Sequence, residues 1–324
     1  MTLLLPAFVG APAVNRVYQV DAMTLLRAIP DNSVDCCVTS PPYFGLRDYG
    51  VAGQIGLEAT PAEYVQTLVT LFREVRRVLK DSGSFWLNLG DSYTGSGKGP
   101  STHLQTSNPA SQIERLTSVD GLASKNLLLM PHRVAIALQD DGWICRQDNV
   151  WAKPNPMPES VTDRTTRAHE YVFQFAKSGK YYYDAEAIRE VGAGRLDLGK
   201  MNSPARLNEG GLWAHDFKEA DGRNKRSVWT IPPAQFREAH FATFPLKIPE
   251  ICIKAGCPPG GLVLDPFMGS GTTADVARRL GRDYIGSELS FEYMQIINKR
   301  LAVPYTPLMP MFLEPAGELE ASLS

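Results

Sequence analysis

The sequence predicts an α/β protein built on a mainly parallel sheet. Three observations carry this. Short apolar runs alternate with segments of helical period along the chain, the order of parallel strands joined by crossover helices. Two of the runs, Val34-Asp35-Cys36-Cys37-Val38-Thr39 and Gly261-Leu262-Val263-Leu264, are almost continuously apolar, as strands buried on both faces must be. Each enters a loop of unusual composition: Ser40-Pro41-Pro42-Tyr43 in the first case, Asp265-Pro266-Phe267-Met268-Gly269-Ser270-Gly271-Thr272-Thr273 in the second.

The elements follow in order. Val14 to Val20 reads as a short strand, and Met23 to Ile29 as a short helix closed by Pro30-Asp31-Asn32. After the 34–39 strand, Pro61 to Lys80 is the clearest helix: Pro61 suits its first turn, and Tyr64, Leu68, Leu71, Phe72, Val75 and Leu79 recur at helical spacing. Asp81-Ser82-Gly83 reads as its stop, and Ser84 to Leu89 as the next strand. Residues 95–126 are rich in Gly, Ser, Thr, Asn and Gln, a long polar excursion of the kind that is functional or disordered. Pro131 to Asp140 is predicted helical, Trp143 to Ala152 and Glu170 to Lys177 extended, and 185–226 irregular. Pro249 to Ala255 is helical ahead of the 261–264 strand, Thr272 to Leu280 helical after it. Tyr284-Ile285-Gly286 is a strand ending at Glu288, and a helix from Phe291 to Leu301 closes the core. From Pro304 the tail turns Pro-rich, then acidic.

Bulk properties exclude several classes. At 324 residues the chain can bury a full core. A formal charge of −2, from 33 basic and 35 acidic residues, argues against a coat of positive charge but leaves room for a local basic cleft. Cys36, Cys37, Cys145, Cys252 and Cys257 form no CxxC pair and no metal-ligand spacing, so they read as buried thiols in a reducing cytoplasm, and no metal site is expected. Leu3-Leu4-Leu5 is too short for a signal or membrane segment, so the protein reads as cytoplasmic.

The two loops suggest complementary chemistry. Glycines after a strand let the backbone approach a ligand, and the helix start supplies free N–H groups. Glu288, at the end of the following strand, can accept from ribose hydroxyls. A dinucleotide fingerprint fails because Ala274 stands where its third glycine belongs. The tempting Thr94-Gly95-Ser96-Gly97-Lys98-Gly99 is not a P-loop, since Ser92 and Gly99 replace its leading glycine and its hydroxyl residue. The Ser-Pro-Pro-Tyr loop suits a planar amine. The lone pair of an exocyclic amine on a base is delocalised into the ring. Two fixed acceptors, the Ser40 hydroxyl and a carbonyl oriented by the stiff Pro41-Pro42 pair, can hold its hydrogens so that the lone pair faces a methyl donor. Tyr43 offers a flat face for a flipped base. Methylation at cytosine C5 would need a cysteine nucleophile, typically after a proline, and the chain has no Pro-Cys dipeptide.

Together, and in this order, the motifs resemble the β class of DNA amino-methyltransferases, in which the catalytic motif precedes the cofactor motif. The resemblance covers about residues 15–94, 127–180 and 235–300. It implies a Rossmann-like S-adenosylmethionine-dependent methyltransferase sheet with permuted motif order and an inserted target-recognition region. The catalytic domain would comprise residues 1–184 and 231–303, with the polar loop at 95–126, the recognition region at 185–230 and a tail at 304–324. Ser40, Pro41, Pro42 and Tyr43 would be catalytic. S-adenosyl-L-methionine would meet Asp265, Phe267, Gly269, Ser270, Gly271, Thr272 and Glu288, with Asp21 near its adenine and Thr243 and Phe244 at its methionine end. Asp21 reads equally as a helix N-cap, and Phe244 equally as plain packing.

A serine at the start of the tetrad is associated in this family with N4 of cytosine, and Asp or Asn there with N6 of adenine. The resemblance therefore implies a DNA (cytosine-N4) methyltransferase, with adenine N6 as the alternative. Two further alternatives are an RNA or protein methyltransferase, against which the motif order argues, and a non-catalytic DNA-binding protein, against which the intact cofactor loop argues. Double-stranded DNA is the expected partner, with Lys153, Arg164, Arg167, Arg223, Lys225 and Arg226 as candidate contacts. Lys153 reads equally as a snorkelling surface residue and Arg164 and Arg167 as a solvated face, while Glu219 and Asp221 offset the basic run that holds Arg223, Lys225 and Arg226. A paired restriction endonuclease, and a monomer or homodimer, fit the same resemblance.

Overall fold

A computed structural model describes residues 8, 10–94, 121–190, 223–234 and 244–305. Most of the polar excursion, residues 191–222 of the expected recognition region, Thr243 and the tail from 306 lie outside the described residues.

Eight strands form one sheet in the order β1-β8-β7-β2-β3-β5-β4-β6. They are β1 (Arg16–Tyr18), β2 (Val34–Thr39), β3 (Leu79–Leu89), β4 (Ile144–Ala152), β5 (His169–Ala176), β6 (Val228–Thr230), β7 (Leu262–Asp265) and β8 (Asp283–Ser287). The first five in spatial order run parallel, and β5 is antiparallel to both neighbours, β3 and β4. The edge strand β6 is parallel to β4. Among the described residues six α-helices accompany the sheet: α1 (Ala22–Ala28), α2 (Pro61–Val78), α3 (Met130–Asp140), α4 (Lys247–Gly256), α5 (Thr272–Arg279) and α6 (Phe291–Ala302).

The period-2 alternation of the strands sorts the core into two layers. Cys37, Phe85, Leu87, Phe175 and Leu264 face α1, α2 and α3, where Leu26, Phe72 and Val134 meet them. Cys36, Val38, Trp86, Val172 and Val263 face the other side, against Ile251 of α4, Ala277 of α5 and Ile297 of α6. Covering both faces is why β2 is buried along its whole length. Four cysteines are buried free thiols and Cys145 is half-buried and free.

Local chemistry sets the boundaries. Thr60 caps α2 reciprocally with Glu63, and Pro61 opens its first turn. The expected stop at Asp81-Ser82-Gly83 is instead an irregularity inside β3. The pairing jumps from Val34↔Leu79 to Cys36↔Ser84, so the turn residues are accommodated as a bulge. The strand β6 was not anticipated. It is three residues long, and Trp229 anchors it in the core 6.5 Å from Trp86.

Candidate active site

β2 and β7 are neighbours, paired Cys36↔Val263 and Cys37↔Leu264, so their C-terminal loops emerge side by side. This is the edge at which open α/β sheets bind ligands. A buried hydrogen bond joins the loops: Thr39 Oγ1 donates to Asp265 Oδ1 at 2.6 Å across 226 residues of sequence. Thr273 Oγ1 donates to the other carboxylate oxygen at 2.6 Å, and the Phe267 N–H to Oδ1 at 3.0 Å. Burial pushes the Asp265 carboxyl up to about 6 despite these donors.

A cavity of about 830 Å3 opens above the two loops. Ser40, Pro41, Pro42 and Tyr43 form part of its wall. So do Asp21, Phe244, Phe267, Gly269, Ser270, Thr272 and Glu288. Asp265 and Gly271, expected to touch the cofactor, are not on that wall. Asp265 spends both oxygens tying the loops together. Gly271 turns the chain into α5 at φ +82°, with Ile297 packed where a side chain would point. Asp21 is the N-cap of α1, accepting from the Thr24 N–H at 2.8 Å, and it also lines the cavity.

The wall fits a nucleoside-bearing ligand. Glu288 accepts from the Gly269 N–H at 2.8 Å through Oε2 and from the Ser290 N–H at 2.9 Å through Oε1. Each oxygen keeps a lone pair for a ribose hydroxyl. Burial raises the carboxyl to about 7, opposed by those backbone donors. The rings of Tyr49 and Tyr293, 6.3 Å apart and edge to face, stand on the same wall.

The tetrad is held from behind. The Tyr64 hydroxyl donates to the Pro42 carbonyl at 2.8 Å, which fixes the diproline. Tyr43 packs on Gly90 so closely that a Cβ there would stand 2.5 Å from Cε2 of its ring. The Tyr43 hydroxyl lies 2.8 Å from Glu170 Oε2 and 3.2 Å from Asn88 Oδ1, and Ser40 Oγ donates to it at 3.3 Å. Asn88 and Glu170 line the cavity and were not singled out from the sequence. The signal was available: Asn88 interrupts the apolar run Phe85–Leu89, and Glu170 precedes the largely apolar Tyr171–Ala176.

The expected DNA contacts divide. Lys153 is on the cavity wall, its ammonium paired with Glu170 and 4.4 Å from the centre of the Trp151 ring. Arg164 pairs with Glu159 at 2.6 Å and lies over Tyr93, and Arg167 is 3.5 Å from Asp91. Arg223, Lys225 and Arg226 all converge on Glu190, at 3.3, 3.1 and 3.3 Å. Three cations share this one carboxylate, and Arg226 is the most exposed of them. Among the described residues no cluster could hold a metal ion, and no helix is long and apolar enough to cross a membrane.

Residues 34–299 match the family model described as DNA methylase. The type II methyltransferase M.Cfr9I of Citrobacter freundii is 44% identical over 285 residues, covering 88% of this chain and 87% of that protein. M.XycI of Xanthomonas campestris pv. cyanopsidis is 46% identical over 286 residues, covering 88% and 87%. The structure of PvuII DNA methyltransferase (cytosine-N4-specific) aligns with a TM-score of 0.63 at 22% identity, covering 90% of this chain and 88% of that one. The M1.HpyAVI–SAM complex aligns with a TM-score of 0.53 at 19% identity, covering 89% and 99%. The sheet is that of a Rossmann-like methyltransferase, and the chain belongs to the DNA methylase family.

Proposed function

We propose that this DNA methylase transfers a methyl group from S-adenosyl-L-methionine to the N4 amine of a cytosine flipped out of duplex DNA. The observation that carries the reading is the shared cavity: the Ser40–Tyr43 tetrad lines one space with Gly269, Ser270, Thr272 and Glu288. When bound, the cofactor supplies an electrophilic methyl carbon on a sulfonium sulfur.

The protein's own residues do the rest. Glu288, Phe267, Gly269 and Ser270 hold the nucleoside part, with Asp21 and Phe244 on the same wall. Tyr43 gives the flipped base a face to stack on. The Ser40 hydroxyl and the Pro41 carbonyl accept the two amine hydrogens and turn the lone pair toward the methyl carbon. Rate enhancement then comes mainly from positioning. Lys225, Arg226 and Arg223 contribute a basic surface for backbone phosphate.

Ser40 at the head of the tetrad and the N4-specific title of the PvuII neighbour support cytosine over adenine. The relatives' description as type II methyltransferases supports a role in restriction–modification, with a partner endonuclease. The test is to incubate the protein with S-adenosyl-L-methionine and unmethylated genomic DNA, digest to nucleosides and analyse by mass spectrometry. N4-methylcytosine, formed far more slowly in Ser40→Ala, is the expected result. N6-methyladenine would overturn the choice of base, and no methylated base would overturn the reading.

A further inference from the structure

A serine hydroxyl can donate or accept. To orient an amine it must accept, so its own proton has to point elsewhere. The surroundings of Tyr43 dictate where. The Tyr43 hydroxyl carries one proton, and two acceptors compete for it: Glu170 Oε2 at 2.8 Å and Asn88 Oδ1 at 3.2 Å. Asn88 presents its oxygen because its Nδ2 donates to Glu170 Oε2 at 3.2 Å and to the Tyr171 carbonyl at 3.0 Å. A carboxylate at the shorter distance is the stronger acceptor. Whichever of the two takes the proton, Tyr43 has only lone pairs left for Ser40. Burial, and then the charge of Glu170, pushes the Tyr43 phenol well above its ordinary range, so that proton stays in place. Ser40 Oγ accordingly donates to Tyr43, at 3.3 Å.

The carboxylate is itself fixed. Lys153 pairs with its other oxygen, Oε1, and lies over the Trp151 ring. The register places Glu170 opposite Trp151 on the β4–β5 ladder, and Leu89, next to Asn88, opposite Tyr171 on β3–β5. The antiparallel strand β5 thus brings Glu170 to the loop end of a parallel sheet, beside the tetrad.

We propose that Glu170 is a positioning residue: through Tyr43 it turns the Ser40 proton away from the cavity and fixes Ser40 as an obligate acceptor for the target amine. This rests on the amino-methyltransferase reading and deepens it, since the tetrad depends on a carboxylate 127 residues downstream of Tyr43. Lys153 then serves to hold Glu170 rather than to reach phosphate.

The test is a double-mutant cycle on the single-turnover methylation rate. It uses the full chain, saturating DNA and cofactor, and whichever base the wild type methylates. Tyr43→Phe removes one oxygen and keeps the ring. It is expected to slow transfer by about a hundredfold, with calorimetric Kd for S-adenosyl-L-methionine changed by less than about twofold. In a Ser40→Ala background the same change is expected to cost nothing further, because the Tyr43 hydroxyl, unlike its ring, acts only through Ser40. Glu170→Gln paired with Ser40→Ala gives the same cycle independently of Tyr43. Wild-type rates in Tyr43→Phe, or effects that multiply in both double variants, would overturn the role of Glu170. A wild type that methylates no base would instead overturn the functional reading.

Discussion

Gly90 offers the sharpest perturbation of the site. It follows β3 directly and its backbone lies outside the left-handed region, so alanine meets no dihedral strain there. The cost is purely steric. The added methyl carbon would stand 2.5 Å from Cε2, 2.9 Å from Cδ2 and 3.3 Å from Cζ of Tyr43. Carbon atoms in contact prefer about 3.5–4.0 Å, so the ring must retreat by about 1 Å. The Tyr43 hydroxyl is held at 2.8 Å by Glu170 and at 3.3 Å by Ser40, and a shift of that size breaks one or both bonds. A misplacement of about 1 Å costs on the order of 100-fold in rate. Overpacking costs about 1–3 kcal/mol of stability, which leaves the fold intact. The cofactor loop lies on the other part of the wall. Gly90→Ala should therefore slow single-turnover methylation by about 100-fold while cofactor Kd, read by calorimetry, stays within about twofold. A variant with wild-type turnover would refute the placement of Tyr43 in the reaction. One that lost cofactor binding as severely would show that the clash propagates through the whole site.

Three further outcomes are expected. Glu288 is an acid whose folded-state value is raised, from 4.5 to about 7, so its protonation favours the folded state. That stabilisation is fully present below about pH 4.5 and is lost as pH rises through about 7, amounting to about 3 kcal/mol at most. Wild type should lose Tm relative to Glu288→Gln across that window, and a constant difference between the two would refute the assignment. Asp21→Asn keeps a capping oxygen for α1, whereas Asp21→Ala should lose about 1 kcal/mol in denaturant unfolding. Weaker cofactor binding in Asp21→Asn, at unchanged stability, would separate contact with the cofactor from capping. Arg226→Ala should weaken DNA binding and reduce the slope of log K against log salt by about 1; an unchanged slope would remove Arg226 from the DNA surface.

Much of the fold was legible because the physics was local. The strand Val34–Thr39 announces itself by continuous burial, and α2 by its apolar stripe and its Thr60–Glu63 cap. The two functional loops were legible because their residues are rare in combination. What escaped depends on contacts made only in three dimensions. The role of Asp265 as a tie between loops needs Thr39 as well as Thr273, and no spacing rule links residues 39 and 265. Glu170 reaches Tyr43 only because β5 runs antiparallel beside β3, a pairing that the alternation of strands and helices does not specify. The strand at Val228–Thr230 is too short to show a period, and only the packing of Trp229 makes it part of the sheet. The pairing of Lys153 with Glu170 was likewise hidden, because a lysine after a strand carries no sign of a partner that sits across a ladder.

The central claim is that the tetrad and the glycine loop serve one reaction in one cavity. A crystal structure of the protein with S-adenosyl-L-methionine tests it most directly. An attacking nitrogen sits about 3–3.5 Å from its carbon, and a hydrogen bond spans about 2.9 Å. The methyl carbon should therefore lie within about 6 Å of Ser40 Oγ, with the ribose hydroxyls on Glu288. A cofactor bound elsewhere, or bound with its methyl group facing away from Ser40, would contradict it.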